Sequence, residues 1–272
     1  MANPLLTLKV HEELLAARDG APCTLQCSLD LERSRTTVSI HAQGWEWQGR
    51  IFPYMPACKD RTIYHWSGET FEPVSRFTRS LIKLVPTDWG PPTFEIDGIK
   101  MLPTANVSPY ADAERKVGLI QPRGKRILDT CGGLGYFAAW CLRGKARSVQ
   151  SYEKNPDVLW IRSLNPWSPQ QDATVTLTEG DIAKEIVSIP DGSVEAVLHD
   201  PPRFGIAGEL YSQAFYEQLA RVLPRRGLLF HYTGTPNKLT SGRDVPNEVA
   251  ARLRRAGFAA ELNGDGVLAS RR

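Results

Sequence analysis

The chain has 272 residues, of which 42% are hydrophobic and 23% are charged. This composition is typical of a folded enzyme with one large domain, or with one large and one small domain. The net charge of +3 permits RNA as a partner but lacks the strong basic excess of a dedicated nucleic-acid-binding protein. Because no apolar run approaches the length of a membrane span and the first residues lack a signal-peptide pattern, we expect a cytoplasmic protein that does not contact membranes.

The five cysteines are an odd number, which favours free thiols in an intracellular chain. Cys23, Cys27 and Cys58 have the chemistry of a loose metal site. However, the segment CTLQC alternates like a strand, and no second pair with matching spacing follows it. We therefore expect buried strand thiols and no metal.

The first hundred residues contain short alternating runs separated by glycine and proline, such as TVSIHAQGWEWQGRIF and FTRSLIKLV. These runs predict strands and hairpins, preceded by a short helix near residues 9–18. We expect residues 1–104 to form a small β-rich lid or substrate domain. Of Trp45, Trp47, Trp66 and Trp89, most should fill the core of this domain, while one or two are candidates for closing the pocket.

From residue 105 onward the pattern changes to alternating helices and strands. The predicted strands are KRILDT, SVQSYEK, TVTLTEGD, EAVLHDPP, GLLFHYTG and a last one near GVLAS. The predicted helices begin with one at Ser108 and Pro109 and continue over residues 134–144, 155–165, 181–189, 207–223 and 245–258. This alternation predicts an α/β domain over residues 105–272, with a doubly wound, largely parallel sheet and a ligand at the carboxyl ends of its strands.

The first of these strands ends in an acid and a glycine-rich turn. Asp129 closes the apolar run and is followed, after Cys131, by Gly132, Gly133 and Gly135. Glycines in such a turn let the backbone approach a ligand closely and adopt positive φ angles. We therefore predict that this loop contacts a bound nucleotide or nucleoside, although a glycine loop alone is also compatible with a simple chain reversal.

The next three strands also end in acids. Glu153 follows about 20 residues after the loop, where a carboxylate accepts hydrogen bonds from a ribose. Asp181 is suited to an adenine amino group, and Asp200 closes the fourth strand. A single acid at such a position is usually a helix cap or a solvated side chain, but four in succession indicate a nucleoside site. The neighbouring Lys154 and Ile182 are included in the predicted site.

These residues resemble the class I S-adenosylmethionine-dependent methyltransferases, with a Rossmann-like sheet. The absence of a spaced G-x-G-x-x-G and the presence of D-P-P-x-F favour this family over the nicotinamide dehydrogenases. More specifically, it resembles a predicted archaeal methyltransferase family that includes cytosine-N4 methylation of ribosomal RNA. The segments that carry this resemblance are NVSPYADAERK, LDTCGGLGY, EKNPDVLWIRSLNPWS, HDPPRFGIAGELYSQAFY, FHYTG, GRDVP and, in the N-terminal part, KLVPTDWGPPTFEIDGIKM.

The resemblance implies a role for the D-P-P element. Asp200 and the carbonyl of Pro201 would accept hydrogen bonds from an exocyclic amine, so that the nitrogen lone pair faces the methyl group of the sulfonium. The chain departs from the family at Arg203, which stands where an aromatic is usual, with Phe204 one position later. Since a planar cation stacks on a base or clamps a carboxylate, the acceptor stays open.

Other residues extend the predicted site with less specific signals. Tyr110 is placed to cover the sulfonium by a cation–π contact. Asn165, Trp167 and Ser168 follow a helix and either flank the cofactor or form a helix stop with a core tryptophan. His199, next to the D-P-P element, is expected to be a packed strand residue and not a base.

Three functions remain open. The favoured one is methyl transfer from S-adenosylmethionine to an amine nitrogen, either cytosine N4 in RNA or a small-molecule amine, by direct in-line displacement. The alternative rests on a similarity to bacterial azetidine-2-carboxylate synthases, in which S-adenosylmethionine is the sole substrate. There its α-amino group attacks the γ-carbon and methylthioadenosine leaves. The third is a non-catalytic S-adenosylmethionine-binding module, and a homodimer is one assembly that the sequence leaves open.

Overall fold

The structure, a computed structural model, describes residues 3–203, 205, 207–234 and 244–272. The chain divides into two compact units. The first consists of Met1–Ala111 together with Trp160–Ser168, and the second of Asp112–Leu159 together with Pro169–Arg272. The division after Ala111 lies close to the predicted boundary between residues 104 and 105, but the sequence does not predict that residues 160–168 join the first unit.

The first unit is β-rich and contains the predicted short helix near its start. After strand β1 (Leu5–Leu6) comes helix α1 (Leu8–Arg18), whose N-cap Thr7 accepts a hydrogen bond from the backbone N–H of Val10. Ten strands follow: β2 Cys23–Cys27, β3 Thr36–His41, β4 Gly44–Trp47, β5 Arg50–Pro53, β6 Tyr64–Trp66, β7 Phe71–Pro73, β8 Ser75–Phe77, β9 Leu81–Val85, β10 Thr93–Ile96 and β11 Ile99–Lys100. They form three antiparallel sheets, ordered β1-β6-β7, β2-β3-β4-β5 and β11-β10-β9-β8.

Aromatic side chains fill part of the core of this unit. The rings of Trp45 and Phe52 are stacked with centroids 4.7 Å apart, and Trp66 contacts Phe52 edge-on. This confirms the predicted burial of Trp45 and Trp66. Trp89 is not part of this core, since it is 49% exposed and its indole N–H donates to the carbonyl of Thr104.

The second unit is the predicted α/β domain. Its helices are α2 Pro109–Leu119, which begins in the first unit, α3 Tyr136–Arg143, α4 Pro156–Leu164, which ends in the first unit, α5 Ile182–Glu185, α6 Gln213–Val222 and α7 Val245–Arg255. Its strands are β12 Arg126–Asp129, β13 Ser148–Glu153, β14 Val175–Glu179, β15 Ala196–His199, β16 Leu228–Tyr232, β17 Phe258–Asn263 and β18 Gly266–Arg271. They form one sheet in the order β14-β13-β12-β15-β16-β18-β17, in which only the pairings of β18 are antiparallel. The fold is Rossmann-like, as predicted.

Two predicted helices are shorter than expected. The helix predicted over residues 207–223 is divided into a 3-10 turn at Gly208–Tyr211 and helix α6. Ser212 separates them because its extended backbone and its hydroxyl, which accepts from the N–H of Phe215, form an N-cap. The helix predicted over residues 181–189 is likewise shortened, since α5 gives way to a 3-10 turn at Ile186–Ser188.

Within the described ranges, no helix combines the length and the apolar character that crossing a bilayer requires.

Candidate active site

The carboxyl ends of neighbouring strands lie along one edge of the sheet in the second unit. Strands β12 and β15 are parallel neighbours, with Asp129 paired to Leu198, and the chain order of the sheet reverses between them. Doubly wound sheets bind ligands in the crevice at such a reversal. Because β13 and β14 continue the sheet on one side, Asp181, Glu153, the glycine loop and Asp200 share this edge.

The glycine loop folds tightly between β12 and α3. Gly133 and Gly135 have φ angles of 49° and 79°, in the left-handed region that side chains other than glycine rarely adopt. The N–H of Gly132 donates to the carbonyl of Tyr152 at 2.7 Å, which attaches the loop to β13. Gly135 is the N-cap of α3, and since a glycine has no side chain, it makes no side-chain hydrogen bond to the first turn of the helix.

The buried side of the loop is fixed by polar contacts. Asp129 is fully buried and accepts a hydrogen bond from the hydroxyl of Ser151 at 2.8 Å. Burial raises the pKa of the Cys131 thiol, so this side chain is protonated at neutral pH. Asp129 and Cys131 therefore support the loop in this structure, and the sequence-based prediction that they contact a cofactor stays a prediction.

Glu153 occupies the end of β13 and organises the backbone around it. One carboxylate oxygen accepts from the N–H of Gly133 at 3.0 Å, and the other accepts from the N–H of Asn155 at 2.9 Å. Both oxygens of the carboxylate are thus engaged by backbone N–H groups. The residue predicted to bind a ribose therefore also holds the glycine loop to the next strand.

Asp181 lies at the end of β14 as the N-cap of α5, where it accepts from the N–H of Ala183 at 3.1 Å. The exposed Lys154 lies between two carboxylates, 3.9 Å from Asp181 and 3.6 Å from Glu209. Ile182 is buried in the core. The capping role of Asp181 is the ordinary alternative for an acid at this position, and it leaves the second carboxylate oxygen on the Lys154 side.

Asp200 follows β15 directly, and its side chain is 20% exposed. Burial raises the pKa of Asp200, and the nearby Lys116 ammonium opposes this rise. Pro201 is buried, and the carbonyl of Pro202 accepts from the hydroxyl of Tyr211 at 3.1 Å, which fixes the turn. Arg203 is exposed. Phe204, the aromatic of the predicted motif, lies outside the described residues.

Lys116 is the main residue of the site that the sequence does not reveal. Its side chain is 2% exposed, and its ammonium lies 2.8 Å from Asp112 and 3.4 Å from Asp200. The same nitrogen lies 3.8 Å from the centroid of the Tyr232 ring. Asp112 and Lys116 are four residues apart on α2, a spacing that predicts an ion pair but not its burial.

His199 on β15 and His231 on β16 are fully buried. Nδ1 of His199 lies 2.7 Å from the hydroxyl of Thr130, and Nε2 lies 3.1 Å from the carbonyl of Leu210. Since that carbonyl accepts only, Nε2 carries the proton and Nδ1 accepts from the hydroxyl. Burial lowers the pKa of His199 to about 4, so it is neutral at physiological pH. The prediction of a packed strand residue is confirmed.

The remaining predicted residues belong to the first unit. Tyr110 is buried, with its ring centroid 5.2 Å from that of Trp167, whose indole N–H donates to the carbonyl of Leu31 at 3.0 Å. Asn165 accepts from the N–H of Trp167, and its carbonyl accepts from the N–H of Ser168, which forms the turn that ends α4. These contacts are those of a helix stop, and a role for the four residues in cofactor binding stays a prediction.

The first unit also contains a cleft of its own, of about 730 Å³, between α1 and the loops around Asp60 and Asp88. Its lining carries Lys9, Arg61 and Lys100 together with acidic side chains. Charges of both signs therefore line the cleft, and two of the cations are paired within the unit, Lys9 with Glu32 at 3.0 Å and Arg61 with Glu95. The charge of this cleft therefore selects no class of ligand.

The chain is similar to a protein from an archaeon. It is 43% identical over 178 residues to the uncharacterized protein MJ1233 of Methanocaldococcus jannaschii. The match covers 65% of this chain and 61% of that protein, so the chain spans about three fifths of the length of this relative. No family model matches the chain.

Solved structures share the fold. A spermidine synthase in complex with the transition-state analogue AdoDATO superposes with a TM-score of 0.60, at 15% identity and over 73% of each chain. The spermidine synthase of Thermotoga maritima gives a TM-score of 0.58, at 16% identity over 73% of this chain and 72% of that one. At this level of identity the similarity establishes the Rossmann-like fold alone.

Proposed function

We propose that the second unit binds S-adenosylmethionine along the carboxyl edge of its sheet and that the chain transfers the methyl group to an amine nitrogen. The observation that carries this proposal is the alignment of Glu153, the glycine loop and Asp200 on both sides of the strand reversal. The fit of the residues to the molecule is chemical. The carboxylate of Glu153 is the type of group that accepts hydrogen bonds from ribose hydroxyls, and the N-terminus of α3, next to the glycine loop, favours a carboxylate.

The acceptor side of the reaction depends on Asp200 and Pro201. A carboxylate oxygen and a carbonyl at the end of β15 accept the N–H groups of an incoming amine and direct its lone pair. S-adenosylmethionine supplies a methyl group on a sulfonium, whose carbon–sulfur electron pair leaves with sulfur as the nitrogen–carbon bond forms. The methylated nitrogen then loses one proton to solvent, which balances the charge. The acceptor, RNA cytosine or a small-molecule amine, is part of the proposal.

A second candidate retains the cofactor and changes the bond that breaks. Arg203 stands at the position beside the D-P-P element where an aromatic is expected, and it is exposed, so position 203 offers a cation and not a ring to a flat base. This favours a reaction without a second substrate. The α-amino group of S-adenosylmethionine then attacks its own γ-carbon, the γ-carbon–sulfur bond breaks, and the products are azetidine-2-carboxylate and methylthioadenosine.

One experiment tests both candidates. The purified chain is incubated with S-adenosylmethionine alone and then with RNA or small amines, and the nucleoside products are followed by mass spectrometry. S-adenosylhomocysteine that forms only after an acceptor is added supports methyl transfer. Methylthioadenosine formed by the chain alone, above a heat-inactivated control, overturns methyl transfer in favour of cyclisation. Binding of S-adenosylmethionine without either product supports the third function, a non-catalytic module.

A further inference from the structure

A row of five charged side chains of alternating sign connects Asp200 to the turn between β17 and β18. Asp265, in the turn between β17 and β18, lies 2.7 Å from Arg115, which lies 3.0 Å from one oxygen of Asp112. The other oxygen of Asp112 lies 2.8 Å from Lys116, which in turn reaches Asp200. The row ends in an acid at both ends and therefore has a net charge of −1 when all five groups are ionised.

The ammonium of Lys116 has as many acceptors as it has protons. Asp112, Asp200 and the face of the Tyr232 ring lie within 3.8 Å of the nitrogen. Burial lowers the pKa of Lys116, but Asp200 and Asp112 outweigh this effect, so the pKa lies above its ordinary value. Because Lys116 stays protonated and its protons are directed to these three groups, it has no free lone pair and is not a general base.

A buried lysine is costly unless its charge is compensated, and replacing such a pair by apolar residues is often neutral for stability. A stability role alone therefore does not explain why the row stops at Asp200. Of the two oxygens of Asp200, Lys116 contacts Oδ2, while the side chain keeps contact with solvent at the strand edge. Lys116 thus contacts one end of the carboxylate, while the side chain as a whole stays partly accessible to solvent.

We propose that Lys116 is a positioning residue for Asp200, which it holds in place and keeps ionised so that the carboxylate accepts the N–H of the reacting amine. This inference rests on the proposed function, because it assigns Lys116 a part in the same site. Its chemical consequence is that Asp200 orients the amine and does not take its proton. The substrate class that fits is an amine that arrives neutral, with N–H donors.

Several titratable groups face Asp200 from the elements packed around it. They are Lys116 and Asp112 on α2, Asp265 in the turn between β17 and β18, Tyr232 on β16, Tyr211 in the 3-10 turn and Cys131 in the glycine loop. Burial raises the pKa of Tyr211, of Tyr232 and of the Cys131 thiol, so these three are neutral near pH 7. Near neutral pH, Lys116 is therefore the cation in contact with Asp200.

The test measures the ionisation of Asp200 directly in the full chain. The carboxyl carbons of aspartate are labelled with ¹³C, and the Asp200 signal is assigned by its loss in Asp200→Asn. In Lys116→Met, the titration midpoint of Asp200 should rise by about one pH unit or more, since a contacting opposite charge is lost. In Asp112→Asn, which keeps the lysine and removes a like charge, the midpoint should fall. Lys184→Met, at an exposed position, should leave it unchanged.

The two shifts in opposite directions make the proposal falsifiable even if one variant does not fold. Should Lys116→Met fail to fold, Lys116→Arg and Asp112→Asn decide. An unchanged midpoint in Lys116→Arg together with a lower one in Asp112→Asn supports the proposal. A midpoint that stays at the wild-type pH in Lys116→Met overturns it, and so does an unchanged midpoint in Asp112→Asn when Lys116→Met does not fold.

A second readout separates this inference from the proposed function. If S-adenosylmethionine is turned over, the acid limb of the pH profile should move to higher pH in Lys116→Met, with the dissociation constant for S-adenosylmethionine unchanged. A turnover profile that does not move overturns the positioning role. If the wild-type chain forms no product but the Asp200 midpoint rises in Lys116→Met, the proposed reaction fails, while the control of Asp200 ionisation by Lys116 holds.

Discussion

Two buried polar clusters meet at the end of β15, and they are stabilised in different ways. His199, the last residue of the strand, belongs to a neutral cluster with Thr130 and the carbonyl of Leu210. Asp200, the next residue, belongs to a cluster of ions that includes Lys116 and Asp112. Neutral groups are buried at low cost once each hydrogen bond is made, whereas ions also require counter-charges. Burial lowers the pKa of His199 and raises that of Asp200. A change of pH therefore changes the free energy of unfolding in opposite directions through these two consecutive residues.

The largest effect is expected from removing the counter-charge of the ionic cluster. Lys116→Met leaves two acids without their shared ammonium, and breaking a buried ion pair from one side costs about 3–5 kcal/mol. Urea unfolding at pH 7, compared with the exposed control Lys184→Met, measures this loss. A loss no greater than that of the control would show that the cluster is open to solvent and not effectively buried.

The neutral cluster predicts a loss of stability in acid. The folded pKa of His199 is about 4, below its ordinary value of 6.5, because burial disfavours the charged form. The unfolded chain thus binds a proton that the folded chain does not, so the contribution is complete above pH 6.5 and is lost as the pH falls toward 4. The loss between pH 7 and pH 4 is about 3 kcal/mol.

His199→Gln is the matched variant for this measurement. Glutamine keeps a donor for the carbonyl of Leu210 but does not titrate, while Asp200 stays present in both proteins. Unfolding free energies from urea titrations at several pH values should fall less steeply toward acid in the variant than in the wild type. Equal slopes in the two proteins would mean that His199 is charged, or exposed to water, in the folded chain.

A third prediction concerns the carboxylate that holds the glycine loop. Glu153→Gln replaces one of two accepting oxygens by an amide NH₂, which opposes a backbone N–H. Losing one charge-assisted hydrogen bond of about 1.5–3 kcal/mol weakens binding of S-adenosylmethionine by roughly 10- to 100-fold. Isothermal titration calorimetry measures the dissociation constant for S-adenosylmethionine, with Glu179→Gln on the neighbouring strand as the exposed control. Equal affinities for the two variants would argue against the proposed cofactor site.

The smallest effect separates a cap from a ligand contact. Asp181→Ala removes the N-cap of α5 and should cost about 1 kcal/mol of stability, while Asp181→Asn keeps the cap and should cost little. Both variants should bind S-adenosylmethionine more weakly if the carboxylate also contacts adenine. Thermal unfolding and calorimetry on the same samples check both points, and unchanged binding in Asp181→Asn would restrict Asp181 to its capping role.

The order of the elements and the line of acids along the sheet edge could be predicted from the sequence. Apolar runs of strand length separated by helical patterns determine a doubly wound sheet, and parallel strands bring their carboxyl ends to one edge. The glycines of the loop also carry their own signal, because Gly133 and Gly135 require positive φ angles. The positions of Glu153 and Asp200 could therefore be predicted from the sequence.

The tertiary structure alone decided which charges are buried and what they contact. The pair of Asp112 and Lys116 has the spacing of an ordinary surface pair on a helix, and Asp200 lies 84 residues further along the chain. Likewise, no local pattern shows that residues 160–168 pack with the first unit. Burial depends on which elements pack together over long separations. The sequence thus determined where the acids stand, and packing determined that Asp200 has a buried ammonium and His199 a neutral ring.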